Sequence, residues 1–219
     1  MGAGSRLTSA GGGYDRGDRD RGSLLLGRPA SGKSEIIDYL QRTRPAERLR
    51  RFRVGDLVVL DDFPMLWAWF EEDAILEAMG HPRLHTTADN SFLGNHLWEV
   101  LVRRLGLEYE KLLKGRPAGG QPLTAIIEFS RGSEHGGYRQ ALQQLPDLVL
   151  DRAAALYVRV SFEESLRKNR KRFNPDRPHS ILEHGLSDEK LERLYRRDDW
   201  DEVPRADADH PSGGPADHL

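Results

Sequence analysis

The chain has 219 residues, of which 33 are basic and 35 acidic, so its formal net charge is -2. This balance gives no reason to expect a nucleic-acid-binding or membrane-surface protein, and the lack of cysteine excludes disulfides, zinc thiolate sites and thiol catalysis. No apolar run approaches the roughly 20 residues of a membrane span and no signal-peptide core is visible, so we expect a soluble, cytoplasmic protein with no membrane partner.

Both termini have compositions typical of disordered tails. Residues 1–22 are dominated by Gly, Ser, Arg and Asp, which bury too little apolar surface to offset the entropy of ordering. Residues 201–219 are acidic and are interrupted by three prolines. We therefore predict one domain over residues 23–200, with a disordered tail on each side.

The first predicted elements are a strand, a glycine-rich turn and a helix. Residues 23–27 form an apolar run suited to a buried strand, and residues 34–43 are predicted to be helical. The sequence between them matches Gly-x-x-x-x-Gly-Lys-Ser, the Walker A phosphate-binding loop. Glycine lets the backbone curl so that successive amides face a polyphosphate, which the positive end of the helix dipole also attracts. We predict that the nucleotide is bound by Gly27, Arg28, Pro29, Ala30, Ser31, Gly32, Lys33 and Ser34.

The rest of the chain alternates between strands and helices. Apolar runs predict buried strands at 57–60, 124–127 and 155–160. Helices are predicted at 65–79, 92–113, 138–144, 148–152 and 162–172, and behind Ser187. The basic cluster 48–53 is predicted to be a solvated loop or helix end. The alternation indicates a three-layer α/β/α P-loop NTPase fold with a short, mostly parallel sheet, and no fifth strand is visible near the C-terminus.

Carboxylates follow two of the predicted strands. Asp61 and Asp62 end the second strand, and Glu128 ends the third. Because ligands of open parallel sheets bind beyond the carboxyl ends of the strands, we expect all three carboxylates near Ser34. We predict that Ser34 and Glu128 bind Mg²⁺, while Asp61 or Asp62 orients or deprotonates an acceptor. The sequence leaves open which carboxylate serves the metal and which serves as the base.

A basic run, Arg167-Lys168-Asn169-Arg170-Lys171-Arg172, lies on the predicted helix after the fourth strand. Phosphoryl transfer spreads negative charge over the oxygens of the γ-phosphate. One guanidinium group can donate two parallel hydrogen bonds to oxygens of this kind. We predict that Arg167, Arg170 and Arg172 stabilise the transferring group. The alternative is a solvated basic face. Nucleic-acid binding is not expected, because no aromatic ladder accompanies the run.

The order of these motifs resembles the P-loop nucleoside and nucleotide kinases, deoxynucleoside kinases above all, across residues 23–200. The resemblance implies that Asp61 or Asp62 takes the acceptor proton, and that the basic helix belongs to a lid at about 162–186. A Glu-Arg-Ser motif of that family is similar to Glu128-Phe129-Ser130-Arg131 but differs in order, so the role of Arg131 stays open. The family usually has a fifth core strand.

The sequence therefore predicts an ATP- and Mg²⁺-dependent phosphotransferase acting on a small acceptor such as a nucleoside or nucleotide. Four aromatic residues are candidates to stack on a planar acceptor or to pack in the core: Phe63, Trp67, Trp69 and Tyr138. The alternative is an ATP-binding regulatory module or slow ATPase that acts through a protein partner, with residues 81–122 as its surface. A GTPase is disfavoured by the lack of an Asn-Lys-x-Asp motif. Whether the chain forms an oligomer stays open.

Overall fold

The computed structural model describes residues 20–117, 121–172 and 186–203. Most of both predicted tails and much of the predicted lid lie outside these ranges. The strands are β1 (Arg21–Gly27), β2 (Asp56–Asp61), β3 (Leu123–Phe129) and β4 (Ala153–Val158). The helices are α1 (Lys33–Arg42), α2 (Pro45–Phe52), α3 (Phe63–Ala78), α4 (His96–Lys114), α5 (Gly137–Leu142), α6 (Asp147–Leu150), α7 (Phe162–Arg172) and α8 (Asp188–Tyr195).

The four described strands form one sheet in the order β2-β3-β1-β4, and every neighbouring pair is parallel. The central strand β1 starts at Arg21, two residues before the strand predicted at 23–27. It starts there because residues 21 and 22 already pair with Thr124 and Ala125 of β3. Asp61 lies opposite Glu128 in the register of β2 and β3, which brings these two carboxylates to the same edge of the sheet.

Helices cover both faces of the sheet, which confirms the predicted three-layer α/β/α architecture. On one face, Leu24 and Leu26 of β1 pack with residues of α4, α5 and α6 in the larger core cluster. On the other face, Leu25 packs with Ile37 of α1 and Ile126 of β3. Strand residues point alternately to the two faces, so a strand covered on both sides reads as a continuous apolar run. The topology is that of a P-loop NTPase fold, and the described residues contain no fifth strand.

One element agrees in part with the sequence prediction and another differs from it. The basic cluster 48–53 forms the C-terminal end of helix α2, which was one of its two predicted states. Arg48 is not solvated as predicted, because it is buried and donates hydrogen bonds to the carbonyl oxygens of Leu40 and Gly55. Helix α4 starts at His96, four residues later than predicted. The residues before it are held in an extended turn by the antiparallel bridge between Thr86 and Phe92.

The last helix of the described residues begins behind Ser187, as predicted. The Ser187 hydroxyl accepts a hydrogen bond from the amide of Lys190.

Within the described ranges, no helix is both long enough and apolar enough to cross a bilayer.

Candidate functional site

The loop between β1 and α1 has the backbone geometry of an anion-binding turn. Gly27, Ala30 and Gly32 have φ values of 150°, 54° and 114°. A Cβ atom at Gly27 would lie 2.8 Å from both the Ser31 hydroxyl and the carbonyl oxygen of Val158. Glycine is therefore required at position 27 for steric as well as conformational reasons.

The amides at the start of α1 are available to a ligand. Among the described residues, no backbone acceptor receives a hydrogen bond from the amides of Ala30, Gly32, Lys33 or Ser34. The N-cap residue Gly32 has no side chain to accept them. Backbone amides and the positive end of the helix dipole together favour an anion at this position.

Three side chains from distant parts of the chain hold the loop. The Tyr138 hydroxyl accepts a hydrogen bond from the amide of Gly27 at 3.1 Å. The Ser165 hydroxyl of α7 donates to the carbonyl oxygen of Pro29 at 2.8 Å. Arg28 pairs with Asp198 at 2.7 Å and donates to the carbonyl oxygens of Val160 and Tyr195. Tyr138 is fully buried and supports the loop. It therefore does not stack on a ligand, although stacking was one of its two predicted roles.

The side chain of Lys33 turns back toward the loop. Its Nζ donates to the carbonyl oxygens of Gly27 and Arg28, each at 3.1 Å, and to the Ser130 hydroxyl at 2.8 Å. It also lies 3.8 Å from Glu128 Oε1. Burial lowers the pKa of Lys33, although the neighbouring Glu128 and Asp61 carboxylates act in the opposite direction. The sequence analysis quoted Ser130 within Glu128-Phe129-Ser130-Arg131 but gave it no role, and its place directly after β3 was the available signal.

The carboxylates of Asp61 and Glu128 are held in an environment that disfavours their charge. Burial, followed by the charges of Asp62 and Glu128, raises the pKa of Asp61 to about 7. Burial also raises the pKa of Glu128, and Lys33 offsets part of that effect. Asp61 accepts one backbone hydrogen bond, from the amide of Phe63 at 3.0 Å. A carboxyl that titrates near neutral pH is suited to accept a proton during a reaction.

Asp62 has a different environment from its neighbour. Its carboxylate lies 2.7 Å from Nη1 of Arg131, which is itself almost completely buried. Arg131 also donates to the carbonyl oxygen of Trp98 and lies over the rings of Trp98 and Phe129. The guanidinium of Arg131 therefore holds Asp62 in place. Glu128 has Lys33 as its partner, whereas the ion pairs of the described residues include none for Asp61.

Helix α7 lies over the loop between β1 and α1, residues 27–34, which is called the phosphate loop below. A cleft of about 510 Å³ separates them, and its walls include residues 30–35 of the loop and of α1. The cations on the α7 side are Arg167, Lys168, Lys171 and Arg172. Lys168 Nζ lies 3.8 Å from the position that a Cβ atom would take at Gly32. Arg170 does not line this cleft and instead pairs with Asp188 of α8 at 2.6 Å.

A small central chamber of about 120 Å³ joins the loop to the strand ends. Pro29, Lys33, Asp61 and Ser130 line it, together with Arg172 of α7. Arg172 lines both this chamber and the cleft over the loop, so its side chain lies between the two.

A larger aromatic cavity of about 500 Å³ adjoins this chamber. The two share five lining residues: Phe63, Leu66, Trp98, Leu186 and Tyr195. The cavity also has polar groups that the sequence analysis did not single out, notably His135, Lys190 and Arg193. No local motif marks these residues, because they come together only through the packing of α4, α8 and the 3₁₀ turn Ser133–His135.

Two of the predicted stacking residues have other partners. Trp67 is buried, and its indole N–H donates to Glu71 Oε1 at 3.0 Å. Trp69 stacks on His85 with ring centroids 4.8 Å apart. Neither residue lines the aromatic cavity, whereas Phe63 lies at its boundary with the central chamber.

No set of three or more His, Asp or Glu residues in the described ranges is arranged to hold a metal by protein ligands alone. This is compatible with Mg²⁺, which is usually bound by one or two protein oxygens together with substrate phosphates and water. The Ser34 hydroxyl lies at the start of α1, and Glu128 lies beside Lys33.

Comparison with protein-family models and with curated proteins finds no match. Among solved structures, the chain is similar to the crystal structure of APE1195, with 18% identity, a TM-score of 0.39 and coverage of 70% of this chain and 68% of that one. It is also similar to shikimate kinase from Acinetobacter baumannii in complex with shikimate, with 15% identity, a TM-score of 0.37 and coverage of 86% and 80%. Both TM-scores lie below 0.5, so neither likeness supports a statement about substrate or activity.

Proposed function

We propose that the protein is an ATP-dependent phosphotransferase that moves the γ-phosphoryl group of ATP to a hydroxyl or phosphate oxygen of a small acceptor such as a nucleoside or nucleotide. One observation carries this proposal. The loop has amides without backbone acceptors, and its buried Lys33 lines the central chamber together with Asp61, a carboxyl whose pKa is raised. This chamber adjoins the aromatic cavity, which can hold a second substrate. An ATPase needs the loop and the metal ligands, but it needs no 500 Å³ cavity for a second substrate.

The residues present fit Mg-ATP. The loop amides and Lys33 would hold the β- and γ-phosphates, and the cations of α7 would neutralise the charge on the far side. Ser34 and Glu128 would hold Mg²⁺, which supplies charge neutralisation of the phosphate oxygens when bound. Lys33 must then exchange its carbonyl and hydroxyl partners for phosphate oxygens. Its present contacts at 2.8 and 3.1 Å keep the ammonium oriented until that exchange.

In the transfer step, the bond between the γ-phosphorus and the oxygen of ADP breaks, and a bond to the acceptor oxygen forms. Asp61 takes the proton of an acceptor hydroxyl, which suits a carboxyl whose pKa is raised to about 7. Arg172, which lies between the cleft and the central chamber, and Arg167 stabilise the charge on the transferring group. We leave Arg170 out of this group because it does not line the cleft and Asp188 binds its guanidinium. Arg167 pairs with Glu164 but lines the cleft, and it would exchange that partner for phosphate oxygens.

The experiment follows the γ-phosphate of labelled ATP in the presence of Mg²⁺ and a panel of nucleosides, nucleotides and other small hydroxyl compounds. Label that appears on an acceptor, and that is lost in Lys33→Ala, is the expected result. Release only as free phosphate, at the same rate with and without each acceptor, would contradict the proposal and favour the regulatory or slow-ATPase alternative. The surface variant Lys114→Ala, which removes an exposed lysine, is the matched control and should behave as wild type.

A further inference from the structure

The aromatic cavity has walls suited to a ring compound. The aromatic side chains that line it are Phe63, Phe70, Phe92, Trp98 and Tyr195. Trp98 also stacks on the buried ring of His135, with centroids 3.9 Å apart. Aromatic walls around a volume of this size favour a flat, partly apolar ligand over a flexible polar one.

Helix α8 brings two cations to the same cavity. Lys190 and Arg193 are three residues apart, so they lie on one face of the helix, and both line the cavity. Lys190 contacts the backbone carbonyl oxygen of Asp89 and lies 3.6 Å from its carboxylate. The described ion pairs include no carboxylate for Arg193, whose contact with the Ser91 hydroxyl is long at 3.5 Å.

Glu134 and His135 also line the cavity. Glu134 is the one acidic residue among the described residues that line it, and its side chain is exposed at the 3₁₀ turn. His135 contributes no charge, because burial and then the charge of Arg131 lower its pKa to about 3. Its Nδ1 accepts a hydrogen bond from the amide of Gly132. Glu134 and the Asp89 carboxylate equal the two cations in number, but the described ion pairs include no carboxylate for Arg193. The cavity therefore has one guanidinium available to an anion and a second cation, Lys190, beside it.

We propose that the acceptor is a small ring compound that carries an anionic group, a carboxylate or a phosphate, in addition to the oxygen that is phosphorylated, and that Lys190 and Arg193 bind this anionic group. The inference rests on the proposed function for its reaction but not for its binding chemistry. The ring would lie against Trp98 and Tyr195, and the anionic group would replace Asp89 as the partner of Lys190. Phe63 lines both the cavity and the central chamber, so it would lie between the anionic group and Asp61.

The test measures equilibrium binding, so that it stands apart from catalysis. Wild-type protein is first saturated with Mg²⁺ and a non-hydrolysable ATP analogue, and is then titrated with two matched pairs of compounds. The first pair is uridine and uridine 5′-monophosphate, and the second is 3-hydroxybenzyl alcohol and 3-hydroxybenzoate. The two pairs distinguish a phosphate from a carboxylate as the preferred group.

In at least one pair, the anionic member should bind about tenfold or more tightly than the neutral member, because the partly buried ammonium of Lys190 and the guanidinium of Arg193 form charge-assisted hydrogen bonds to an anion. The double variant Lys190→Met/Arg193→Gln should reduce that preference to about threefold or less. The control Arg104→Gln/Lys111→Met removes the same charge from the exposed surface of α4 and should keep the preference.

Equal binding of the two members of both pairs, a preference that survives in the double variant, or no binding by any of the four compounds would overturn the inference. Failure of the proposed function has a different signature. In that case the anionic compound still binds with the expected preference, but labelled phosphate never reaches it or any other acceptor.

Discussion

Two carboxylates of this protein, the buried Asp73 and the partly exposed Asp61, show how differently the same side chain can be held. Burial pushes the pKa of Asp73 upward, but hydrogen bonds from the Thr86 hydroxyl and from three backbone amides outweigh it and hold that pKa well below the usual range. The amide contacts include Leu84 at 2.8 Å and Thr86 at 2.5 Å. Asp61 has one such bond, from Phe63, and two like charges nearby.

The difference distinguishes a carboxylate with a structural role from one suited to proton transfer. Asp73 accepts hydrogen bonds from residues 84–86 and so fixes that turn. The surroundings of Asp61 do not offset the free-energy cost of its negative charge, so its pKa is raised, and raised pKa values of this kind are frequent at sites of chemistry.

The largest effect is expected at Asp61. Asp61→Asn should lower kcat for phosphoryl transfer by about 10²–10⁴-fold, because it removes the group that we propose takes the proton of the acceptor hydroxyl. Binding of Mg-ATP, measured by calorimetry, should change much less. The control Asp38→Asn removes an exposed carboxylate of α1 and should leave kcat unchanged. A kcat within a factor of three of wild type would remove Asp61 from the mechanism.

The next effect is on folding. Asp73→Ala should lower the free energy of unfolding by about 2–4 kcal/mol, because several buried donors lose their acceptor together. Urea unfolding followed by circular dichroism measures this loss. The neighbouring exposed variant Glu72→Ala should stay within about 0.5 kcal/mol of wild type. If Asp73→Ala were as stable as wild type, the hydrogen bonds around this carboxylate would not have the structural role assigned to them.

The third prediction concerns pH. The folded-state pKa of Asp61 is raised to about 7, above its unfolded value near 4, so the unfolded state releases this proton first as the pH rises. Wild type should therefore lose stability between about pH 4 and pH 7, relative to Asp61→Asn, and the difference should level off above that range. Because Asp61 is partly exposed, we expect a plateau of about 1–3 kcal/mol. Parallel pH curves for the two proteins would contradict this expectation.

A smaller effect is expected where α7 meets the phosphate loop. Ser165→Ala removes one hydrogen bond to the carbonyl oxygen of Pro29 and should raise the KM for ATP about two- to fivefold, with little change in kcat. Ser161→Ala is the matched control, since its hydroxyl accepts a bond from the Glu164 amide at the start of the same helix and does not contact the loop. An equal change in KM for both variants would indicate a general effect on α7 and not a local one on the loop.

Much of the fold could be predicted from the sequence because its signals are local. The Gly27-to-Ser34 motif, the apolar runs of the strands and the Ser187 cap each depend on neighbouring residues. Strand β1 starts two residues before the strand predicted at 23–27 because pairing with β3 outweighs local composition at Arg21 and Gly22.

The candidate site was less predictable because its parts come from distant segments. Nothing near Arg170 in the sequence indicates that Asp188 binds it, and nothing near Asp62 indicates the buried Arg131 that separates its role from that of Asp61. The aromatic cavity depends on α4, α8 and the 3₁₀ turn meeting in space, so Trp98, His135 and Arg193 carry no recognisable local pattern.

The most direct measurement is a calorimetric titration of the protein with Mg-ATP. Saturable binding near one site per chain, with a dissociation constant between about 1 μM and 1 mM, is expected for wild type. The Lys33→Ala variant should bind at least about tenfold more weakly, because it loses the ammonium that we propose contacts the β- and γ-phosphates. Equal titration curves for the two proteins, or no binding by wild type, would contradict the assignment of residues 27–34 as the polyphosphate site.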